Sequence, residues 1–275
     1  MGLDHLVVAV DESEASREAV RAALGWAGRS GARVTVFHVA AVRAVPAMVG
    51  DMEPFREPGD SLAGIERWLD AEMARHPGAR PPQLVGGLGL PSVEIPRFAE
   101  EQAASLVVLG RKQRSQAIRL VGGDTADAVA RRSRVPCLFV PGPLGVPRWL
   151  LVALDGTDRG RTVLGAAQTF AAALGAEVAA VTVEPIREDE PPELASTVRA
   201  GRTLKLEREL QNGPATLRTR RGDIVQEILS DVKESLPDVL VVGFHRGGPP
   251  AVIEAGSVAR RLAHLAPCAV LTIPL

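Results

Sequence analysis

Tyrosine is absent from the 275 residues, and aromatic side chains make up 3% of the chain. Single strands of nucleic acid are held largely by stacking on aromatic rings, so this composition argues against a base-stacking platform. Charge of one sign is missing too: 32 Lys and Arg face 33 Asp and Glu, for a formal net charge of −1. No electrostatic field draws such a chain to nucleic acid or to an anionic membrane. The apolar runs stop at strand length, short of the roughly 20 residues that a membrane span needs. The opening stretch, MGLDHLVVAVDESEAS, has no basic segment of the kind that starts a secretory leader, and Leu6 stands where a myristoylation signal needs Ser or Thr. The expected location is the cytoplasm. Cys137 and Cys268 are the only cysteines, each inside an apolar segment (CLFV and CAVL) and without zinc-site spacing, so both are read as buried reduced thiols.

What is present is a repeat. Residues 6–39, LVVAVDESEASREAVRAALGWAGRSGARVTVFHV, begin and end in β-branched runs and hold a helical stretch between them, which is a βαβ unit feeding a buried parallel sheet. Residues 150–183, LLVALDGTDRGRTVLGAAQTFAAALGAEVAAVTV, follow the same plan. Asp11 and Asp155, Gly31 and Gly175, and Val39 and Val183 are each 144 positions apart. Further on, SLVVLG (residues 105–110) matches DVLVVG (residues 238–243), and GGDTADAVARR (residues 122–132) matches AGSVARRLAHL (residues 255–265), both 133 positions apart. The chain is therefore an internal duplication with about eleven extra residues in its first copy, between Ala40 and Pro91. A length of 275 residues fits two domains, placed at residues 1–141 and 148–275, with PGPLGVP between them as a short stiff linker.

Each copy reads as alternating strands and helices, an open parallel five-stranded sheet with helices on both faces. Ser13 is a favoured cap for the first helix, and Gly31 closes it. Ile65, Trp68, Leu69 and Met73 share one face of a packing helix. The third strand of each copy (QLVGG, TLRTR) is the least apolar, and Pro96 interrupts the helical pattern that follows QLVGG, which predicts a bend or a late start.

The stretch with most chemistry is GFHRGGPPAVIEAGS, residues 243–257. A chain that leaves a buried strand at Gly243 and enters a helix at Gly256-Ser257 can turn several backbone N–H groups and a helix N-terminus toward an anion. An ordinary strand-to-helix loop with Ser257 as cap accounts for the same residues, and that alternative stays open. Asp11 and Asp155, at the carboxyl ends of the first strands, are read equally as helix caps and as ligand groups, two compatible roles. His245 is read as a solvated loop side chain.

The strand-closing Asp, the Gly-Ala turn before the second strand, and a strand-ending Gly followed a dozen residues later by Gly-Ser resemble the universal stress protein family, in tandem form and over nearly the whole chain. The resemblance implies an α/β fold of the adenine nucleotide α-hydrolase-like type, with ATP, accompanied by Mg, bound in a subset of members through G-x2-G-x9-G-[ST]. In the second copy Gly243, Gly256 and Ser257 fit that motif and Arg246 replaces its middle glycine. By the same resemblance Asp155 lies at the adenine or ribose end, Val183 lines the base pocket, and the N–H of Val258 joins the phosphate contacts. In the first copy Gly110 and Gly123 fit, Gln113 replaces the middle glycine, and Asp124 stands where Ser or Thr belongs. The resemblance implies that Asp11 and Val39 would be its base-end residues if it binds nucleotide. A carboxylate at Asp124 repels phosphate, while Arg111, Lys112, Arg114 and Arg119 of the same loop offset it in part.

The expected function is thus a stress-response or regulatory protein that binds ATP or a related adenine nucleotide, chiefly in the second copy. The alternative is an interaction protein without nucleotide whose two copies pack as a built-in pseudo-dimer. Domain pairing within one chain is expected on either reading, and a homodimer of tandem chains is left open. There is no GxxxxGK[ST] loop and no His-x-Gly-His signature of adenylyl transfer, so no catalytic residue is assigned and hydrolysis is at most slow.

Overall fold

The computed structural model describes residues 2–41, 58–75, 80–111, 125–186, 215–245 and 258–275. The first copy runs β1 (His5–Val10), α1 (Glu14–Ser30), β2 (Arg33–Ala41), α2 (Pro58–Met73), β3 (Gln83–Gly89), α3 (Pro91–Glu101), β4 (Leu106–Gly110), α4 (Thr125–Arg132) and β5 (Cys137–Val140). The second runs β6 (Trp149–Leu154), α5 (Asp158–Leu174), β7 (Glu177–Glu184), β8 (Ala215–Arg221), α6 (Ile224–Ser235), β9 (Val239–Phe244), α7 (Val258–Leu265) and β10 (Ala269–Pro274).

The described strands share one sheet in the order β3-β2-β1-β4-β5-β10-β9-β6-β7-β8. Within each copy every pairing is parallel, and the two expected five-stranded sheets join through a single antiparallel pair, β5 with β10. In that pair Leu138 stands opposite Leu271, its own equivalent 133 positions on. A pseudo-twofold axis therefore passes between these two leucines, and the duplication folds as a symmetric body.

Pleating explains the burial. Alternate side chains of a strand point to opposite faces, so a strand covered on both sides must be apolar throughout. Every residue of β1 is buried, and Leu6 and Val8 join one core while Val7 and Ala9 join the other. The first core is packed by α1, α2 and α5, the second by α3, α4, α6 and α7. The less apolar β3 and β8 are the two outer strands of the sheet, where fewer neighbours demand apolar side chains.

The local expectations hold at several points. Ser13 caps α1 by accepting the Ser16 N–H, and Gly31 and Gly175 end α1 and α5 in the left-handed region at φ of 77° and 72°. Ile65 and Leu69 of α2 are buried. Pro96 is carried inside α3, which starts at Pro91 and runs through it, so the expected late start does not occur. Pro91 sits in the first turn, where no N–H is needed, and Pro96 forfeits one intrahelical bond. Both cysteines are free; Cys137 is buried as expected while Cys268 is only half-buried, and desolvation raises their thiols to about 12 and about 11. No described helix is long and apolar enough to cross a membrane.

The joint between the copies is polar as well as apolar. Trp26, fully buried on α1, donates its indole N–H to the Gly145 carbonyl of the connecting segment at 3.1 Å. Arg111 was expected beside the first copy's own loop. Instead its buried guanidinium crosses the axis and donates to the Ala263 carbonyl and, at 2.6 Å, to that of Ala266, at the end of α7. The Ala263 carbonyl needs a donor, because the residue four beyond it is Pro267, which has no N–H. On the same face Asp127 of α4 meets Arg260 of α7 at 3.2 Å, and also binds Arg131.

Candidate functional site

The site grows from the carboxyl ends of β6, β7 and β9, where an open parallel sheet leaves a crevice. After β6, Asp155 turns the chain into α5: its Oδ1 accepts the Thr157 N–H at 3.0 Å and the Thr157 hydroxyl at 2.7 Å. The Thr157 hydroxyl is committed to Asp155 and makes no cap bond to α5. Asp155 is exposed, and among the described residues both of these bonds fall on one carboxylate oxygen.

A cavity of about 440 Å³ opens there, within the size range of small-molecule sites. It is lined by Asp155 and Gly160, by Val183 at the end of β7, by Gly243 and His245 after β9, and by Val258 at the start of α7. Ile224, Ile228, Val242 and Leu262 supply an apolar floor. Such a lining suits a flat heterocycle, with one carboxylate and one imidazole as polar exceptions. Gly243 is closely packed: a Cβ there would fall 2.7 Å from Leu275 Cδ1 and 2.9 Å from Val163 Cγ2, so those side chains would have to shift.

Four residues singled out from the sequence, Asp155, Val183, Gly243 and Val258, thus line one cavity. Arg246, Gly256 and Ser257 lie outside the described residues, as do Gln113, Gly123 and Asp124 in the first copy.

The first copy differs at the equivalent points. Asp11 Oδ1 accepts the Ser13 N–H at 3.0 Å, the Ser13 hydroxyl, and the Ser16 hydroxyl at 2.7 Å, while the Asp11 N–H is given to Ser16 Oγ at 2.9 Å. Asp11 thus fixes the turn into α1, whose cap is Ser13, as Asp155 does for α5, and gains one further bond from Ser16. Ser16 is buried, and its counterpart in the second copy is Gly160, which has no side chain to set beside Asp155. A Cβ on Gly110 would lie 2.3 Å from the Ala15 carbonyl oxygen, so the backbone at the end of β4 rests directly on the start of α1. Against Gly243 the nearest atoms are side chains. Val39 is buried in the core that α3 and α4 pack.

Two features of the site were not read from the sequence. His245 lines the cavity and lies 3.1 Å, through Nδ1, from Arg159 Nη1 on the first turn of α5. Gly160 leaves open the space that Ser16 fills. The second was detectable, since aligning the copies sets Ser16 against Gly160; the first was not, because Arg159 and His245 are 86 residues apart. Among the described residues no group of three or more His, Cys, Asp or Glu side chains is placed to hold a metal ion.

The model of the universal stress protein family matches the chain twice, at residues 2–141 and 148–274. A universal stress protein from Archaeoglobus fulgidus DSM 4304 superposes at a TM-score of 0.71 with 16% identity, covering 100% of this chain and 99% of that one. A putative universal stress protein from Pseudomonas aeruginosa UCBPP-PA14 gives 0.67 at 14% identity, covering 99% and 93%. A functionally unknown protein from Pseudomonas aeruginosa PAO1 gives 0.69 at 13% identity, covering 99% and 92%. At such identities the likeness speaks for the fold. The chain has no match among curated proteins. Two family-model matches that together take in nearly every residue make this chain a member of the universal stress protein family.

Proposed function

We propose that this protein is a stress-response regulator that binds ATP or a related adenine nucleotide in the cavity of its second copy. The observation that carries the reading is the convergence of Asp155, Val183, Gly243 and Val258, from four separate segments, on one 440 Å³ space. In this reading Asp155 meets the ribose or base end, and Val183 with the apolar floor holds the adenine. The backbone between Gly243 and Val258, with Gly256, Ser257 and the Arg246 guanidinium, takes the phosphates and any accompanying Mg. The first copy, with Asp11, Val39, Gly110 and Gly123, is the weaker site, since its Ser16 already occupies the space beside Asp11. The domains are residues 1–141 and 148–275, the role is binding with hydrolysis slow at most, and the working compartment is the cytoplasm, in keeping with two free, protonated thiols.

The interaction-protein reading is favoured by a different observation, the built joint across β5 and β10. It differs in needing no nucleotide. Mass spectrometry of small molecules released from freshly purified protein separates the two. Adenine nucleotide in wild type, lost in Gly256→Glu and retained in Gly123→Glu, is the result expected. No nucleotide in any of the three, with no ATP binding at millimolar concentration, would overturn the nucleotide reading in favour of the interaction protein.

A further inference from the structure

The described residues place one arginine beside the cavity without a carboxylate. Arg161, two positions on along α5, turns back to Asp158 at 3.7 Å, and on α1 Arg17 and Arg21 are both paired with Glu14. Arg159 has no acidic partner among the described residues; its hydrogen bond goes to the imidazole of His245, at 3.1 Å. Both side chains are exposed, and His245 is part of the cavity wall.

The chemistry of that contact is constrained. A guanidinium keeps its protons at any ordinary pH, so it must donate and His245 Nδ1 must accept. The remaining imidazole proton then sits on Nε2, and His245 is itself a donor on its other side. Two adjacent donors, one of them permanently cationic, stand beside a space with a mostly apolar floor, whose one side-chain carboxylate, Asp155, is bonded to Thr157 and makes no ion pair with Arg159 among the described residues. A side chain of this kind is retained against solvent most usefully by an anion that can take bonds from both. The first copy has Ala15 where the second has Arg159, so the arrangement belongs to one copy only.

We propose that Arg159 and His245 form an anion clamp for the outer phosphates of the bound nucleotide, so that the cavity prefers nucleoside di- and triphosphates over the nucleoside. This rests on the nucleotide reading given above. Arg159 supplies the fixed charge and reaches from α5; His245 supplies a second donor and holds the guanidinium in place while the site is empty. The apolar floor binds the base alike in every adenine compound, so the clamp shows itself as a difference between ligands that share the base and differ in phosphate.

The test is calorimetric titration of the full chain with ATP, ADP, AMP and adenosine, for wild type, Arg159→Ala and His245→Ala, with a thermal melt of each variant. Arg159→Ala installs the residue of the first copy on an exposed helix turn, so folding is expected to be unchanged. Wild type should bind ATP at least tenfold more tightly than adenosine, and each variant should weaken ATP by roughly tenfold while moving adenosine by less than about twofold. Equal losses for ATP and adenosine, or ATP affinity unchanged in both variants, would overturn the clamp and leave the nucleotide reading standing. Failure of wild type to bind any of the four ligands would overturn both.

Discussion

Gly160 faces the carboxylate of Asp155 at the place where Ser16 faces that of Asp11. A Cβ on Gly160 would stand 3.4 Å from Asp155 Oδ1, an ordinary contact, whereas the Ser16 hydroxyl is bonded to Asp11 at 2.7 Å. Both carboxylates hold the N–H and hydroxyl of the residue two positions on, and this one residue decides whether a further hydroxyl fills the space beside them. Gly160→Ser should therefore convert the second site toward the first: ATP binding weakens by about tenfold or more, equivalent to roughly 1.4 kcal/mol, and the melting temperature holds or rises. Isothermal titration beside a thermal melt checks this, and unchanged ATP affinity would show that the space beside Asp155 is not used by ligand.

The ion pair between Asp127 and Arg260 joins residues that are equivalents in the two copies. On an exact twofold axis such a position would meet itself, as two aspartates or two arginines; divergence has made it complementary. Asp127 is buried and also holds Arg131, so Asp127→Arg would gather three guanidinium groups at the joint. The expected loss is about 2–3 kcal/mol, below the scale for breaking a fully buried pair because the Arg260 side chain is 36% exposed. Adding Arg260→Asp should recover more than half of it. Urea unfolding of the two single variants and the double gives the coupling. A double variant as unstable as the sum of the singles would mean the pair does not act as a unit.

His5 carries a pH dependence. Its ring is buried, with Nε2 2.9 Å from Thr35 Oγ1 and Nδ1 3.0 Å from Arg33 Nη2. Burial, opposed by the Gln102 carbonyl and aided by the Arg33 charge, lowers its pKa below 6.5. A histidine whose folded pKa is depressed favours the neutral form in the fold. Its contribution to stability is present above pH 6.5 and is lost as the pH falls through the folded value. His5→Gln should therefore lose less melting temperature than wild type between pH 7.5 and pH 5. Parallel slopes for the two proteins would contradict the assignment.

Much of the fold is legible in the sequence because a parallel strand covered on both faces has few alternatives: LVVAV, LVVLG and LVVG can only be central. The outer strands β3 and β8 read less clearly, since their composition reflects solvent as much as the sheet. Pro96 misleads for a related reason: the sequence shows the lost N–H but not the packing of α3, which tolerates it. The pseudo-axis is out of reach of any one-dimensional reading. Leu138 meets Leu271, and Asp127 meets Arg260, only once β5 and β10 pair antiparallel, and no local signal specifies that register. Arg111 is the clearest case. Beside Lys112 and Arg114 it reads as part of a basic loop, yet it crosses the joint to the carbonyls of Ala263, which Pro267 cannot serve, and Ala266. At the site, the cavity residues were reachable through the family resemblance, whereas the contact of Arg159 with His245 depends on how α5 sits against the end of β9.

The central claim is that one of the two copies holds nucleotide. Its most direct test is the stoichiometry of ATP binding by titration calorimetry on nucleotide-free wild type. The account predicts one ATP per chain, abolished by Gly256→Glu. Two equivalents of comparable affinity, or none at millimolar ATP, would contradict it.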